Sequence, residues 1–350
     1  MEVKIGNIKI GEKYPVFIVA ELSANHLQNY ALAVKTIKAI KKAGADGVKL
    51  QTYSPDTMTI NCANRYFKIS QGTPWDGMSL YELYGKAYTP WEWQPRLQKV
   101  AEKLGLVFFS TPFDKTSVDF LTRLRIPAYK IASFEICDIP LIEYTASKGK
   151  PVILSTGMAD CLAIKDAVSA CRRMGNTEIV LLKCTSAYPA LLAFANLRMI
   201  PRLKNDFKCI VGVSDHTLGT TVPVAAVSIG ARIVEKHFIL NRKLGGPDAA
   251  FSLEPDEFKE MVKRIREAES AMGRITYLLS DTVKKNRVFM RSLFVVQDVE
   301  AGQRFTADNI RSIRPGYGLA PKYYHTIIGR KARKSIKRGT PLRWDFVSKK

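Results

Sequence analysis

Most of the short motifs that announce a chemistry are missing from this chain. Its six cysteines contain no CxxC pair, and there is no glycine-rich dinucleotide fingerprint, no P-loop and no GxSxG elbow. Hydride transfer, ATP hydrolysis and serine-esterase chemistry lose their usual sequence support. No apolar run approaches the roughly 20 residues that a membrane helix needs. The opening MEVKIGNIKIGEKYP alternates in charge and apolarity and does not read as a signal peptide. The cysteines are scattered in or beside apolar runs, as reduced core thiols would be. A soluble, cytoplasmic protein is expected, with no membrane partner. Acidic side chains are also scarce, 32 against 54 Lys and Arg, for a net charge of +22. Such an excess suits nucleic acid, an anionic membrane surface or small anionic substrates, or it is simply a lysine-rich solvated surface. The charges are spread along the chain except at Lys331, Arg333, Lys334, Lys337, Arg338 and Arg343. No nucleic-acid module accompanies that cluster, so nucleic acid is not an expected partner.

What is present is a rhythm. Apolar, β-rich runs recur at 16–22, 47–53, 106–112, 128–133, 152–156, 179–186, 210–215 and 232–238, with helical spacing between them. Near-continuous apolar strands alternating with helices imply a parallel sheet covered on both faces. Eight such units predict a (β/α)8 TIM barrel, an α/β fold, with the N-terminal hairpin at 3–10 plugging its bottom. A doubly wound open sheet is the alternative. Residues 1–280 are expected to form the barrel and 281–290 a linker. Residues 291–350 change to short strands and glycine turns, a small β domain. The segment from Thr57 to Pro90 is too long for one helix. It is rich in aromatics and glycine, and reads either as a substrate lid or as a packed surface helix.

Histidine is rare, four in the whole chain, and two of the four fall in the stretch 209–238. His216 and His237 follow successive strands joined by a right-handed crossover, so they project from neighbouring strand ends. They are close enough there to share a metal, unless each is a buried imidazole satisfied separately by hydrogen bonds. Barrels of this kind build their sites from strand C-terminal ends. Collected there are Glu21, Asn25, His26, Lys49, Gln51, Ser110, Lys130, Ser133, Glu135, Ser155, Lys183, Tyr188, Ser214, Asp215, Glu235 and Lys236. Lysines with serine hydroxyls suit phosphate and carboxylate, and two imidazoles suit a borderline divalent ion. The inventory points to metal-assisted reaction of an anionic substrate with a carbonyl compound. A Schiff base through Lys130 is the mechanistic rival, and a non-catalytic polyanion binder is the other.

The motifs VAELSANH (19–26), VKLQTY (48–53), FFSTPFD (108–114), YKIASFEI (129–136), ILSTGM (153–158), KCTSAYPA (183–190), VSDHT (213–217), EKHF (235–238) and GPDAAFSL (246–253) together resemble the sialic acid synthase family. The C-terminal module, with IRPGYGL (313–319), is similar to that family's antifreeze-like (SAF) domain. AELSANH, WDGMSLYELY and RPGYGLAPKY look most like the branch that makes pseudaminic acid. The resemblance implies condensation of phosphoenolpyruvate with the aldehyde of a 2,4-diacetamido-2,4,6-trideoxyhexose of altrose type, with legionaminic or N-acetylneuraminic acid as the alternative product. It implies that His216 and His237 hold a divalent metal, Mn2+ first and Mg2+ or Co2+ after it. Lys49, Lys130, Ser133, Ser155 and Ser214 would grip phosphoenolpyruvate, and Ser110 and Asn25 count among the substrate contacts. Glu21, Gln51, Tyr188 and Asp248 would serve the sugar side, and Glu135 the reacting aldehyde. Arg314 would enter a partner subunit's site, implying a domain-swapped homodimer. One departure is the apolar ALLAF (190–194), where the family more often carries an acidic stretch.

Overall fold

The computed structural model describes residues 1–70, 72, 75–188 and 190–349. Thr73 and Pro74 of the aromatic insertion, and Pro189 of the KCTSAYPA motif, lie outside the described residues. Contacts divide the chain into two compact units, Met1–Gly273 and Arg274–Lys350.

The first unit opens with a hairpin, β1 (Glu2–Ile5) and β2 (Ile8–Gly11). Eight parallel strands follow: β3 (Phe17–Glu21), β4 (Gly47–Thr52), β5 (Val107–Pro112), β6 (Tyr129–Ile131), β7 (Val152–Ser155), β8 (Ile179–Cys184), β9 (Ile210–Asp215) and β10 (Ile233–His237). They close in sequence order, with β10 pairing back onto β3. The expected TIM barrel is therefore present.

Period-two alternation splits the apolar residues of each strand between two cores. Ile18, Ala20, Val48, Leu50 and Phe108 face outward onto helix residues such as Ile37, Ile40, Leu97 and Leu121. Phe17, Val19, Phe109, Ile153, Leu182 and Ile233 face inward, and Val3, Ile5 and Ile10 of the hairpin join that inner cluster, closing the bottom. The inner layer is tight enough to require glycine. A Cβ on Gly47 would lie 2.9 Å from the Phe17 ring, and one on Gly212 would lie 2.7 Å from Leu182. Filled below and polar above, the barrel leaves its C-terminal mouth as the place for chemistry.

The helix Pro255–Met272 ends at Gly273, whose φ of +52° is the left-handed region glycine tolerates. The first compact unit ends there, and 274–280 is exposed chain that joins neither core. The expected linker at 281–290 carries a short helix, Asp281–Asn286, capped by Ser280. In the second unit β11 (Ser292–Val295) pairs antiparallel with β12 (Ile310–Ile313) over a core that includes Leu293, Val295, Phe305, Ile327 and Leu342. Among the described residues no helix is long and apolar enough to cross a membrane.

Candidate active site

The faces that line the barrel interior turn polar at their C-terminal ends. Val19 is followed two residues on by Glu21, Gly47 by Lys49 and Gln51, and Phe109 by Thr111. In the same way Ile153 leads to Ser155, Gly212 to Ser214, and Ile233 to Glu235 and His237. The result is a buried, charged floor. Lys49 Nζ lies 2.5 Å from Glu21 and 3.2 Å from Glu235, and Lys130 Nζ lies 3.6 Å from the same Glu235 oxygen. Ser214 donates its hydroxyl to Glu235 at 3.0 Å. Buried charges are costly unless paired, and here two lysines face two glutamates. Burial alone would raise the Glu235 carboxyl, but Lys130 and then Lys49 outweigh it and hold it at about 2. Burial brings Lys49 down to about 8, against the pull of Glu235.

Buried polar atoms near this floor without a hydrogen-bond partner among the described residues include Ser155 Oγ, Glu135 Oε2 and His237 Nδ1. An unmet buried group costs about 1–3 kcal/mol, so unmet groups clustered at a cavity mark where a ligand would be bound. Burial pushes Glu135 up to about 7.

The two imidazoles stand with ring centroids 5.3 Å apart. His216 Nδ1 lies 3.0 Å from the Thr185 carbonyl and donates to it, which leaves Nε2 as the nitrogen a metal would use; burial would lower the pKa of this ring, but Cys184 and the Thr185 carbonyl raise it. Burial, then the nearby His216 and lysines, holds His237 well below its ordinary value, in the neutral form a metal requires. Asp248 comes within 3.9 Å of His237 Nδ1. No three metal-ligating side chains converge among the described residues. The two imidazoles, His237 neutral and with an unmet nitrogen, would fit a divalent ion whose remaining positions went to water and substrate.

Above the floor is a cavity of about 610 Å3. Gln51, Glu135, Tyr188, His237 and Asp248 reach it, so the structure brings these expected residues together. Its other wall is apolar. Met58, Ile69, Leu80, Leu83 and Tyr84 come from the 57–90 insertion and face Tyr53, Phe113 and Phe134. Ring contacts anchor the insertion, Tyr84 to Tyr53 at 5.7 Å and Trp75 to Tyr188 at 6.1 Å. It is thus both aromatic packing and cavity wall.

Residues 36–277 match the NeuB family, and residues 290–348 match the SAF domain. The chain belongs to the NeuB family. It is 48% identical to the pseudaminic acid synthase of Helicobacter pylori, over 96% of this chain and 98% of that one. It is 46% identical to the pseudaminic acid synthase of Campylobacter jejuni, over 97% and 98% of the two chains. Among solved structures, the N-acetylneuraminic acid synthetase of Leptospira borgpetersenii superposes with a TM-score of 0.73 at 32% identity, over 82% of this chain and 95% of that one.

This NeuB-family site corrects several expectations. Ser110 is not in the mouth of the barrel. Its neighbours Phe109 and Thr111 take the inward positions, and Ser110 faces the helices, 2.6 Å from Thr52 Oγ1. Asn25 does not line the cavity either, because its amide donates to the Phe238 carbonyl and the Ser252 hydroxyl, tying two loops together. Lys183, Asp215 and Lys236 have the outward parity as well. His26 is a satisfied core imidazole, bonded to Thr89 and the Gln28 amide. Arg314 is exposed after β12 in the second unit.

Other residues were missed. Thr111 accepts from Lys49 at 3.4 Å, and Ser23 accepts from Gln51 at 2.9 Å. Cys184 Sγ lies 3.9 Å from His216 Nδ1. Phe251 packs edge-on against both imidazoles, with centroids at 5.8 and 4.9 Å. Gly157 donates its N–H to Ser133 at 3.2 Å, and a Cβ there would meet Ser186 Oγ at 2.2 Å. Inward parity would have found Thr111 and Cys184. Nothing local in the sequence singles out Phe251.

Proposed function

We propose that this chain is a carbon–carbon bond-forming transferase that condenses phosphoenolpyruvate with the open-chain aldehyde of 2,4-diacetamido-2,4,6-trideoxy-L-altrose, giving pseudaminic acid and phosphate. The observation that carries this reading is near-half identity to two pseudaminic acid synthases along almost the entire chain. The lysine-lined floor under a largely apolar cavity supports it. Lys49 and Lys130 offer charge to the phosphate and carboxylate, with Ser133, Ser155 and Ser214 as hydroxyl partners. Glu21 orients Lys49. Gln51, Tyr188 and Asp248 meet the sugar, whose methyl and N-acetyl groups suit the wall formed by Ile69, Leu83 and Tyr84. A divalent ion on His216 and His237, Mn2+ in preference to Mg2+ or Co2+, would polarise the aldehyde oxygen. C3 of phosphoenolpyruvate then bonds to the aldehyde carbon, Glu135 gives its proton to the aldehyde oxygen, water adds to C2, and phosphate departs with the bridging oxygen.

The substrate is tested by phosphate release with Mn2+ and each of three hexoses: the altrose derivative and the precursors of legionaminic and N-acetylneuraminic acid. At least a hundredfold preference in kcat/KM for the first is expected, and equal or greater turnover with another would overturn the assignment. Glu135 keeps its proton below about pH 7 and loses it above. Its folded value is raised, so the stability it lends is full below about pH 4.5 and lost as pH rises through 7. As the proton donor it should make kcat fall above pH 7, whereas KM for phosphoenolpyruvate rises only near pH 8 as Lys49 discharges. Glu135→Gln should lower kcat about a hundredfold and abolish the fall in kcat above pH 7.

A homodimer completes the reading. Ile275 and Tyr277 are fully exposed and Leu278 is 81% exposed, apolar surface that a second copy would cover. Arg314 would then serve the partner's site. Six free cysteines suit the reducing cytoplasm.

A further inference from the structure

An ion pair that the chemistry above does not use lies directly behind the two imidazoles. Strand β10 ends on the inward His237 preceded by the outward Lys236, and β9 ends on the outward Asp215, directly before His216. The two charged residues are register partners, Asp215 3% and Lys236 0% exposed. Lys236 Nζ donates to Asp215 Oδ2 and to the Thr217 carbonyl. Asp215 in turn accepts the Thr217 amide at 2.9 Å and the Thr217 hydroxyl at 3.1 Å. The residues on both sides of His216 are therefore tied to one ammonium on the neighbouring strand.

Stability is a poor explanation for this arrangement. The cost of desolvating a buried pair offsets much of its attraction, and apolar residues of similar volume often serve a core as well. Val213, Val222, Ala226 and Val234 already make this part of the wall apolar. What the charges add is direction. Two bonds from Lys236 fix the end of β9 against β10, and two more between Thr217 and Asp215 hold the turn that carries His216.

We propose that Lys236 and Asp215 are positioning residues, setting the His216 ring against His237 so that the two imidazoles can share one divalent ion. The ion itself belongs to the functional reading above, on which this part of the inference rests. Such supporting bonds matter because ligand geometry tolerates errors of only a few tenths of an ångström.

The test is the double variant Lys236→Met with Asp215→Asn, which removes both charges with little change in volume. Its unfolding temperature should stay within a few degrees of wild type. Mn2+ affinity, measured by calorimetry, should weaken about 10–100-fold. The kcat should fall while KM for phosphoenolpyruvate stays within about twofold, since the floor is untouched. In metal-free protein the His216 ring resonances should shift while those of His26 and His325 stay in place. A folded double variant with wild-type Mn2+ affinity and an unshifted His216 overturns the proposal. If the double variant does not fold, Thr217→Val decides, because it deletes only one hydroxyl bond. It should weaken Mn2+ binding several-fold and move His216, and failure to do either overturns the proposal. Should wild type bind no Mn2+, the metal reading fails by itself and the His216 shift alone judges the positioning role.

Discussion

Replacing His237 with alanine should abolish measurable Mn2+ binding and lower kcat/KM by about a thousandfold or more. Loss of a single preorganised group facing developing charge typically costs a factor of 10^2–10^3, and loss of a metal removes the polarising charge altogether. Folding should respond differently. His237 Nδ1 is a buried nitrogen with no partner among the described residues, so removing it relieves a desolvation cost while opening a small cavity. Those terms oppose, and the unfolding temperature should move by only a few degrees. A chelator should reproduce the loss of activity in wild type, and added Mn2+ should restore it. Chelator-insensitive turnover, or an active His237→Ala enzyme, would remove the metal from the account.

Glu235→Gln should have the largest effect on stability. Glu235 is 5% exposed and serves as counter-charge for both Lys49 and Lys130. Taking one partner from a buried ion pair costs about 3–5 kcal/mol, and each kcal/mol is about 2–4 °C in a unit of this size. A drop of roughly 10 °C is expected. The sign with pH follows from the carboxyl being held at about 2. Its stabilisation is complete above the unfolded value of 4.5 and is lost as pH falls towards 2. The gap between wild type and Glu235→Gln should thus be constant from pH 5 to 8 and close on acidification. Phosphate or phosphoenolpyruvate should rescue the variant more than wild type, because a bound anion supplies the missing counter-charge. Equal stabilisation of the two proteins would mean that the anion does not sit on the lysines.

Most of the fold was legible because its signal is repeated. A run such as Ile210–Val213 is ambiguous alone, but eight such runs separated by helical spacing leave few topologies. The strand-end rule then gathered Lys49, Lys130, Ser155 and Glu235 into one place. Parity divides the residues gathered at the strand ends. Ser110, Lys183, Asp215 and Lys236 sit at the same height as the floor residues but one position out of phase, which turns each to the opposite face. Asn25 was misread for a different reason, since a loop amide carries no periodicity and only the fold shows that it bonds Phe238 and Ser252. Phe251 was invisible because its contacts with both imidazoles depend on how the 246–253 loop returns over the barrel.

The central claim is that phosphoenolpyruvate adds through C3 to an aldehyde and then loses phosphate from C2 by carbon–oxygen cleavage. It is tested most directly with phosphoenolpyruvate carrying 18O in the bridging position, the altrose-type aldehyde and Mn2+, followed by mass spectrometry of both products. The account predicts that the label leaves entirely with the phosphate and that a nine-carbon 2-keto acid accumulates in equal amount. Unlabelled phosphate would mean phosphorus–oxygen cleavage and would contradict the account.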